Sequence, residues 1–135
     1  VEYLIAGAHA VMFHAEPRYT KDIDIWINPT KENASRVWKA LEQFGAPLES
    51  VSPGDFTSPE LIYQIGIEPN RIDILMNVAG VDFNSSYKNS IESSYGGVPV
   101  RILSKSDVIA AKRSIGRKQD LLDLERLEDE KDSPD

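Results

Sequence analysis

The chain has 135 residues, 41% of them hydrophobic and 27% charged, the size and composition of one globular domain rather than of a disordered or disulfide-stapled chain. It contains no cysteine, which excludes thiol nucleophiles and thiolate zinc sites and leaves oxygen and imidazole as the ligands for any metal. The formal net charge is -7, which argues against broad DNA binding. No apolar run approaches the roughly 18 residues of a membrane span and no signal peptide opens the chain, so no membrane partner and a cytoplasmic location are expected.

Tyr3-Leu4-Ile5-Ala6 is a short apolar run ended by Gly7, and a helix-compatible stretch from Ala8 to Ala15 follows before Pro17. This reads as strand, glycine turn, helix. His9 and His14 on that helix are five residues apart, hence not on one face, and are expected in structural roles. Asp22-Ile23-Asp24-Ile25-Trp26-Ile27 alternates strictly, so a strand carries Asp22, Asp24 and Trp26 on one face and three isoleucines on the other. From Lys31 the residues Ala34, Val37, Trp38, Leu41 and Phe44 fall at helical spacing, with Thr30 as N-cap and Gly45 as C-terminal stop. Trp26, Trp38 and Phe44 are expected in the core.

Ala46 to Glu60 is rich in Pro, Ser and Gly and predicts a loop, after which Leu61 to Ile67 has strand composition. Arg71-Ile72-Asp73-Ile74-Leu75 alternates again. Asp73 shares a face with Arg71 and Leu75, and Ile72 with Ile74 face the other way. Gly96-Gly97 between Ser90–Tyr95 and Val98–Ile102 predicts a hairpin, and Ser104 with Asp107 predicts a capping box opening a further helix. Between Arg101 and Lys118 six bases face one acid, Asp107, a local positive field suited to a polyphosphate or a docked RNA end. Asp123 to Asp135 holds seven acids and two bases, and the segment beyond Leu127 reads as a solvated acidic tail, residues 128–135.

Asp22 and Asp24 point the same way. Two ionised carboxylates ~4 Å apart repel by ~4 kcal/mol at an effective dielectric of ~20, and a divalent cation offsets that. Oxygen ligands suit Mg²⁺ or Mn²⁺, held by one or two carboxylates plus water and substrate phosphates. The bland alternative for a lone Asp-x-Asp is a polar strand face turned to water. Asp73, an acid between isoleucines on a second strand, lowers that alternative. So does the Gly7 turn, whose backbone N–H groups and helix N-terminus suit a phosphate.

The order Gly7-Ala8-x-Ala10, Arg18-x-Thr20-x-Asp22-Ile23-Asp24, Arg71-Ile72-Asp73-Ile74-Leu75 and Leu103-Ser104 through Lys112 to Gly116-Arg117-x-x-Asp120-x-x-Asp123-Leu124 resembles the polymerase-beta-type nucleotidyltransferase superfamily. More narrowly it resembles small bacterial nucleotidyltransferases of the abortive-infection and toxin–antitoxin kind. The resemblance implies an α+β fold, a mixed sheet flanked by helices, over residues 1–127 with its first helix missing. It implies two Mg²⁺ or Mn²⁺ ions held by Asp22, Asp24 and Asp73, and a nucleoside triphosphate over Gly7 and Ala8, with Arg18, Thr20 and Lys112 as nucleotide contacts. Ala8 stands where the superfamily usually has glycine or serine, so a hydroxyl is absent there, and Ala15 stands where glycine is common.

Two functions follow as expectations. The first is metal-dependent transfer of a nucleoside monophosphate to a hydroxyl acceptor (an RNA end such as tRNA, a protein or a small molecule), by an enzyme that is a toxin–antitoxin component. Here Asp22, Asp24 and Asp73 are catalytic, with Asp73 accepting the acceptor's proton. The second is a catalytically weak fold member that binds a nucleotide or a partner protein. A metal-dependent glycosyltransferase would use Asp-x-Asp but leave Asp73 unexplained.

Overall fold

The computed structural model describes residues 1–14, 22–67 and 71–115. Among them, ten regular elements follow the chain: β1 (Tyr3–Ala6), α1 (Gly7–His14), β2 (Ile23–Ile27), α2 (Lys31–Phe44), β3 (Ile62–Ile65), β4 (Ile72–Leu75), α3 (Phe83–Lys88), β5 (Ile91–Tyr95), β6 (Val98–Ile102) and α4 (Lys105–Ile115). The strands form one mixed sheet in the order β3-β4-β2-β1-β6-β5. β1 runs antiparallel to β2 and parallel to β6, β2 and β4 are parallel, and the edge strands β3 and β5 pair antiparallel with β4 and β6. The expected mixed sheet flanked by helices is the observed architecture.

Alternation in β2 and β4 sends side chains to two apolar layers, not to one core and one wet face. Ile27 and Ile74 join Ala34, Val37 and Leu41 of α2 and the fully buried Phe56. Trp26, on the aspartate side of β2, joins Leu4, Ala10, Val11, Phe83, Leu103 and Val108 instead, its ring edge-on to Phe83 at 5.1 Å. The face that carries the aspartates is therefore an interior one, and the carboxylates stand at its rim.

Local chemistry fixes the elements around this sheet. Thr30 caps α2 by accepting the Asn33 N–H at 3.2 Å, and Gly45 ends it in the left-handed region at φ 87°. Asn33, wholly buried, donates through Nδ2 to the carbonyls of Glu2 (2.9 Å) and Asn28 (2.8 Å) and accepts the Glu2 N–H on Oδ1 (2.8 Å). One side chain thus ties the start of α2 to β1 and β2. His14 is buried with Nε2 on the Leu103 carbonyl at 2.8 Å, the expected structural role.

Three expectations are corrected, and one helix, α3, was not foreseen. Ala46–Glu60 is not only loop: a 3₁₀ turn, Pro53–Thr57, delivers Phe56 to the α2 layer, because one aromatic fills the gap between α2 and the sheet. Helix α3, capped by Asp82 accepting the Ser85 N–H at 3.1 Å, is too short to leave a helical period in the sequence. Phe44 is 65% exposed, since the last turn of α2 leaves it at the mouth of an apolar groove lined by Val1, Tyr3 and Ile65. The capping box of α4 is half formed: Ser104 Oγ accepts the Asp107 N–H at 3.3 Å, but Asp107 Oδ2 is buried with no hydrogen-bond partner among the described residues.

Candidate active site

Register puts the acids together. Asp24 and Asp73 lie directly opposite one another in the parallel β2–β4 pair, about 4.8 Å apart along the sheet, and Ala6 faces Asp24 from the other side. The chain turns from β1 into α1 at Gly7, in the left-handed region at φ 58°. A Cβ there would lie 2.8 Å from Asp24 Cγ and closer still to Oδ2, so glycine is required by backbone conformation and by the carboxylate resting on the turn. The sequence reading of Gly7 and Asp24 as parts of one place is the observed geometry.

Arg71 closes the site from the start of β4. Its Nε donates to Asp73 Oδ1 at 2.7 Å and its terminal nitrogen to Oδ2 at 3.1 Å, with the Arg71 side chain 25% and the Asp73 side chain 12% exposed. The Arg71 N–H donates to Asp22 Oδ1 at 2.9 Å, while its carbonyl accepts the Ile23 N–H at 3.0 Å. Asp22 stands one residue before β2 and locks the entry of β2 to the entry of β4. The sequence put Arg71 and Asp73 on one face at i, i+2 spacing but assigned Arg71 no role; that spacing was the signal for it.

Electrostatics single out Asp24. Burial pushes its carboxyl above the ordinary value, and the neighbouring charge of Asp73 pushes it further, against opposing effects of Lys112 and Arg71. Lys112 of α4 is therefore within electrostatic reach of Asp24, as the sequence reading required. Gly80 lets the loop before α3 approach α4 closely, since a Cβ there would lie 2.8 Å from the Ala110 carbonyl. His9 packs near Tyr95, with ring centroids 6.1 Å apart, and burial lowers its pKa against the opposing hydrogen bond to the Asp22 backbone.

The basic run does not act as a unit. Arg101 is spent on the hairpin, paired with Glu92 at 3.0 Å and lying over the Tyr87 ring at 5.1 Å, and Lys105 is buried. Arg18 and Thr20 lie outside the described residues, as do the side chain of Ala8 and residues 116–135. Among the described residues no group of three or more His, Asp or Glu is arranged to hold a metal ion, and the Arg71 guanidinium engages both oxygens of Asp73. The donor set still fits a hard divalent cation: Asp24 and Asp73 are opposed carboxyl groups, partly desolvated, with the Gly7 backbone beside them. Among the described residues no helix is long and apolar enough to cross a membrane.

No protein-family profile matches the chain, and no curated protein matches it by sequence. Among solved structures, the lincomycin-bound crystal structure of the lincosamide antibiotic adenylyltransferase LnuA matches with a TM-score of 0.57 at 18% identity, over 93% of this chain and 85% of that one. The chain has a nucleotidyltransferase fold. At this identity the likeness extends to the fold alone.

Proposed function

We propose that the chain transfers a nucleoside monophosphate from a nucleoside triphosphate to a hydroxyl acceptor. The observation that carries this reading is the opposed Asp24–Asp73 pair resting against a glycine turn that opens a helix. Two carboxylates held this close in a partly desolvated place cost free energy unless a cation joins them, and phosphoryl transfer uses such a cation. Asp22, Asp24 and Asp73 would hold Mg²⁺ or Mn²⁺, two ions with nucleotide bound, which would neutralise charge on the phosphates and on the attacking and leaving oxygens. The N–H groups at Gly7 and Ala8 would receive phosphate oxygens at the positive end of α1, with Lys112 as a counter-charge and Arg18 and Thr20 as further contacts. Asp73, on the side of Asp24 away from Gly7, is assigned to the acceptor hydroxyl and its proton.

The acceptor class is open to a small hydroxylated molecule, an RNA end such as that of tRNA, or a protein, including a toxin–antitoxin partner. One observation favours a second reading, a nucleotide- or partner-binding module of weak activity: the Arg71 fork covers Asp73. The deciding experiment incubates the protein with each of the four labelled nucleoside triphosphates and Mg²⁺ in a cell extract, then separates RNA, protein and small molecules. Label in one fraction, lost with Asp22→Asn or Asp24→Asn, supports transfer and names the acceptor class. No label above the Asp24→Asn control with any nucleotide, while nucleotide or partner binding persists, replaces transfer with the binding module.

A further inference from the structure

Arg71 grips the site in two separable ways. Its backbone is fixed by Asp22 Oδ1 at 2.9 Å and by the Ile23 N–H at 3.0 Å, so its Cα is part of the sheet. Its guanidinium, a quarter exposed, is held across Asp73 by two hydrogen bonds of 2.7 and 3.1 Å. The side chain can therefore leave Asp73 by rotation about its own bonds, with the β2–β4 register unchanged. Leaving alone is unfavourable, because Asp73 is mostly buried and faces Asp24 across one strand spacing. A bare carboxylate pair there would repel, and the fork would give up two charge-assisted hydrogen bonds to Asp73.

Both costs are met together if a cation arrives with a polyphosphate. The cation replaces the guanidinium at Asp73, and the planar fork that matched a carboxylate matches a phosphate oxygen pair equally well. The geometry points to Arg71 as a positioning residue that hands Asp73 to the metal in exchange for the triphosphate, so that metal and nucleotide load as one complex and neither loads well alone. This rests on the metal-site reading given above. It adds to that reading an order of loading and a specificity for polyphosphate ligands, placed on a residue outside the three carboxylates. No covalent bond changes in the hand-over; only ion pairs and hydrogen bonds exchange.

The test measures binding of Mn²⁺ alone, and of preformed Mn²⁺–tripolyphosphate, to the full chain by calorimetry. Tripolyphosphate removes the choice of base from the result. Arg71→Gln should bind Mn²⁺ alone about tenfold more tightly and Mn²⁺–tripolyphosphate about tenfold less tightly than the wild type, the size of one charge-assisted hydrogen-bonding contact. In an Asp73→Asn background Arg71→Gln should leave Mn²⁺ affinity unchanged; an equal gain there would mean a general field effect and overturn the hand-over. Equal Mn²⁺ affinity in wild type and Arg71→Gln also overturns it while leaving the metal site standing, whereas no Mn²⁺ binding by either protein, with or without tripolyphosphate, removes the metal site and this proposal with it. On the wild type, the Arg71 Nε–H resonance should shift with Mg²⁺–tripolyphosphate, as the guanidinium passes from Asp73 to phosphate, and stay in place with Mg²⁺ alone. An unchanged resonance with Mg²⁺–tripolyphosphate refutes the exchange even if Arg71→Gln fails to fold.

Discussion

Gly7→Ala tests whether the turn and the carboxylate are one device. Two independent effects add in this substitution. Alanine at φ 58° costs roughly 1–2 kcal/mol for the left-handed backbone. The new Cβ would also sit 2.8 Å from Asp24 Cγ and closer to Oδ2, inside the 3.0 Å that Cβ atoms keep, so the carboxylate must retreat by about 1 Å, an overpacking cost of roughly 1–3 kcal/mol. At about 4 °C per kcal/mol for a domain of this size, thermal unfolding followed by circular dichroism should fall by about 8–20 °C. Under the proposed function, a displacement of about 1 Å at the Asp24 carboxylate also predicts roughly a hundredfold loss of transfer. Pairing Gly7→Ala with Asp24→Ala separates the two effects, because removing the carboxylate removes the clash and leaves the backbone cost alone. If Gly7→Ala is as costly in the Asp24→Ala background as in the wild type, the carboxylate does not rest on the turn and the site geometry is wrong.

Asp24→Asn should raise the metal-free melting temperature at neutral pH. The folded protein holds the Asp24 proton to a higher pH than the unfolded chain does, so metal-free stability is lost as pH rises from the ordinary carboxylate range through the folded value; the Asn variant should lack that loss in a melting series against pH. A lower melting temperature at neutral pH would mean that Arg71 and Lys112 outweigh burial and Asp73. Asn33→Ala should destabilise by about 2–4 kcal/mol in urea unfolding with an unchanged denaturant slope, since it removes three hydrogen bonds and orphans the partly buried Glu2 N–H and the buried Asn28 carbonyl; a loss under 1 kcal/mol would show that water replaces those bonds. Lys112→Ala should weaken triphosphate binding by about tenfold at low salt and flatten its salt dependence, whereas an unchanged affinity and slope would remove Lys112 from the site.

Legibility in the sequence followed the range of the interaction. Thr30, Gly45 and the Gly96-Gly97 turn act within a few residues, so the boundaries of α2 and the β5–β6 hairpin could be read directly. Asp22, Asp24 and Asp73 could be paired because two alternating strands each declare a face. Phe56 and α3 could not be read, since a single buried aromatic in a polar loop and a six-residue helix leave no period. Phe44 kept the period of α2 but outran the sheet that α2 covers. Arg71 had the spacing of a partner for Asp73, yet alternation alone does not say whether a charged neighbour faces solvent or folds back as a fork.

The parallel pairing of β2 with β4 also bears on how the chain finds its native state. The segments that meet there are separated by α2, the Phe56 turn and β3, so their alignment is an entropically expensive closure with no tight turn to set it. Apolar content alone would allow the isoleucine-rich strands to dock one residue out of step. Such a slip turns Asp73 inward against Ala34, Val37 and Leu41 and exposes Ile72 and Ile74 at the rim. Arg71 shares the face of Asp73 and turns inward with it, and burying that ion pair in an apolar layer makes the misaligned state less stable than the native one. The same acids that strain the finished sheet therefore proofread its assembly, and replacing Asp73 with an apolar residue should yield a chain that folds faster but to more than one alignment.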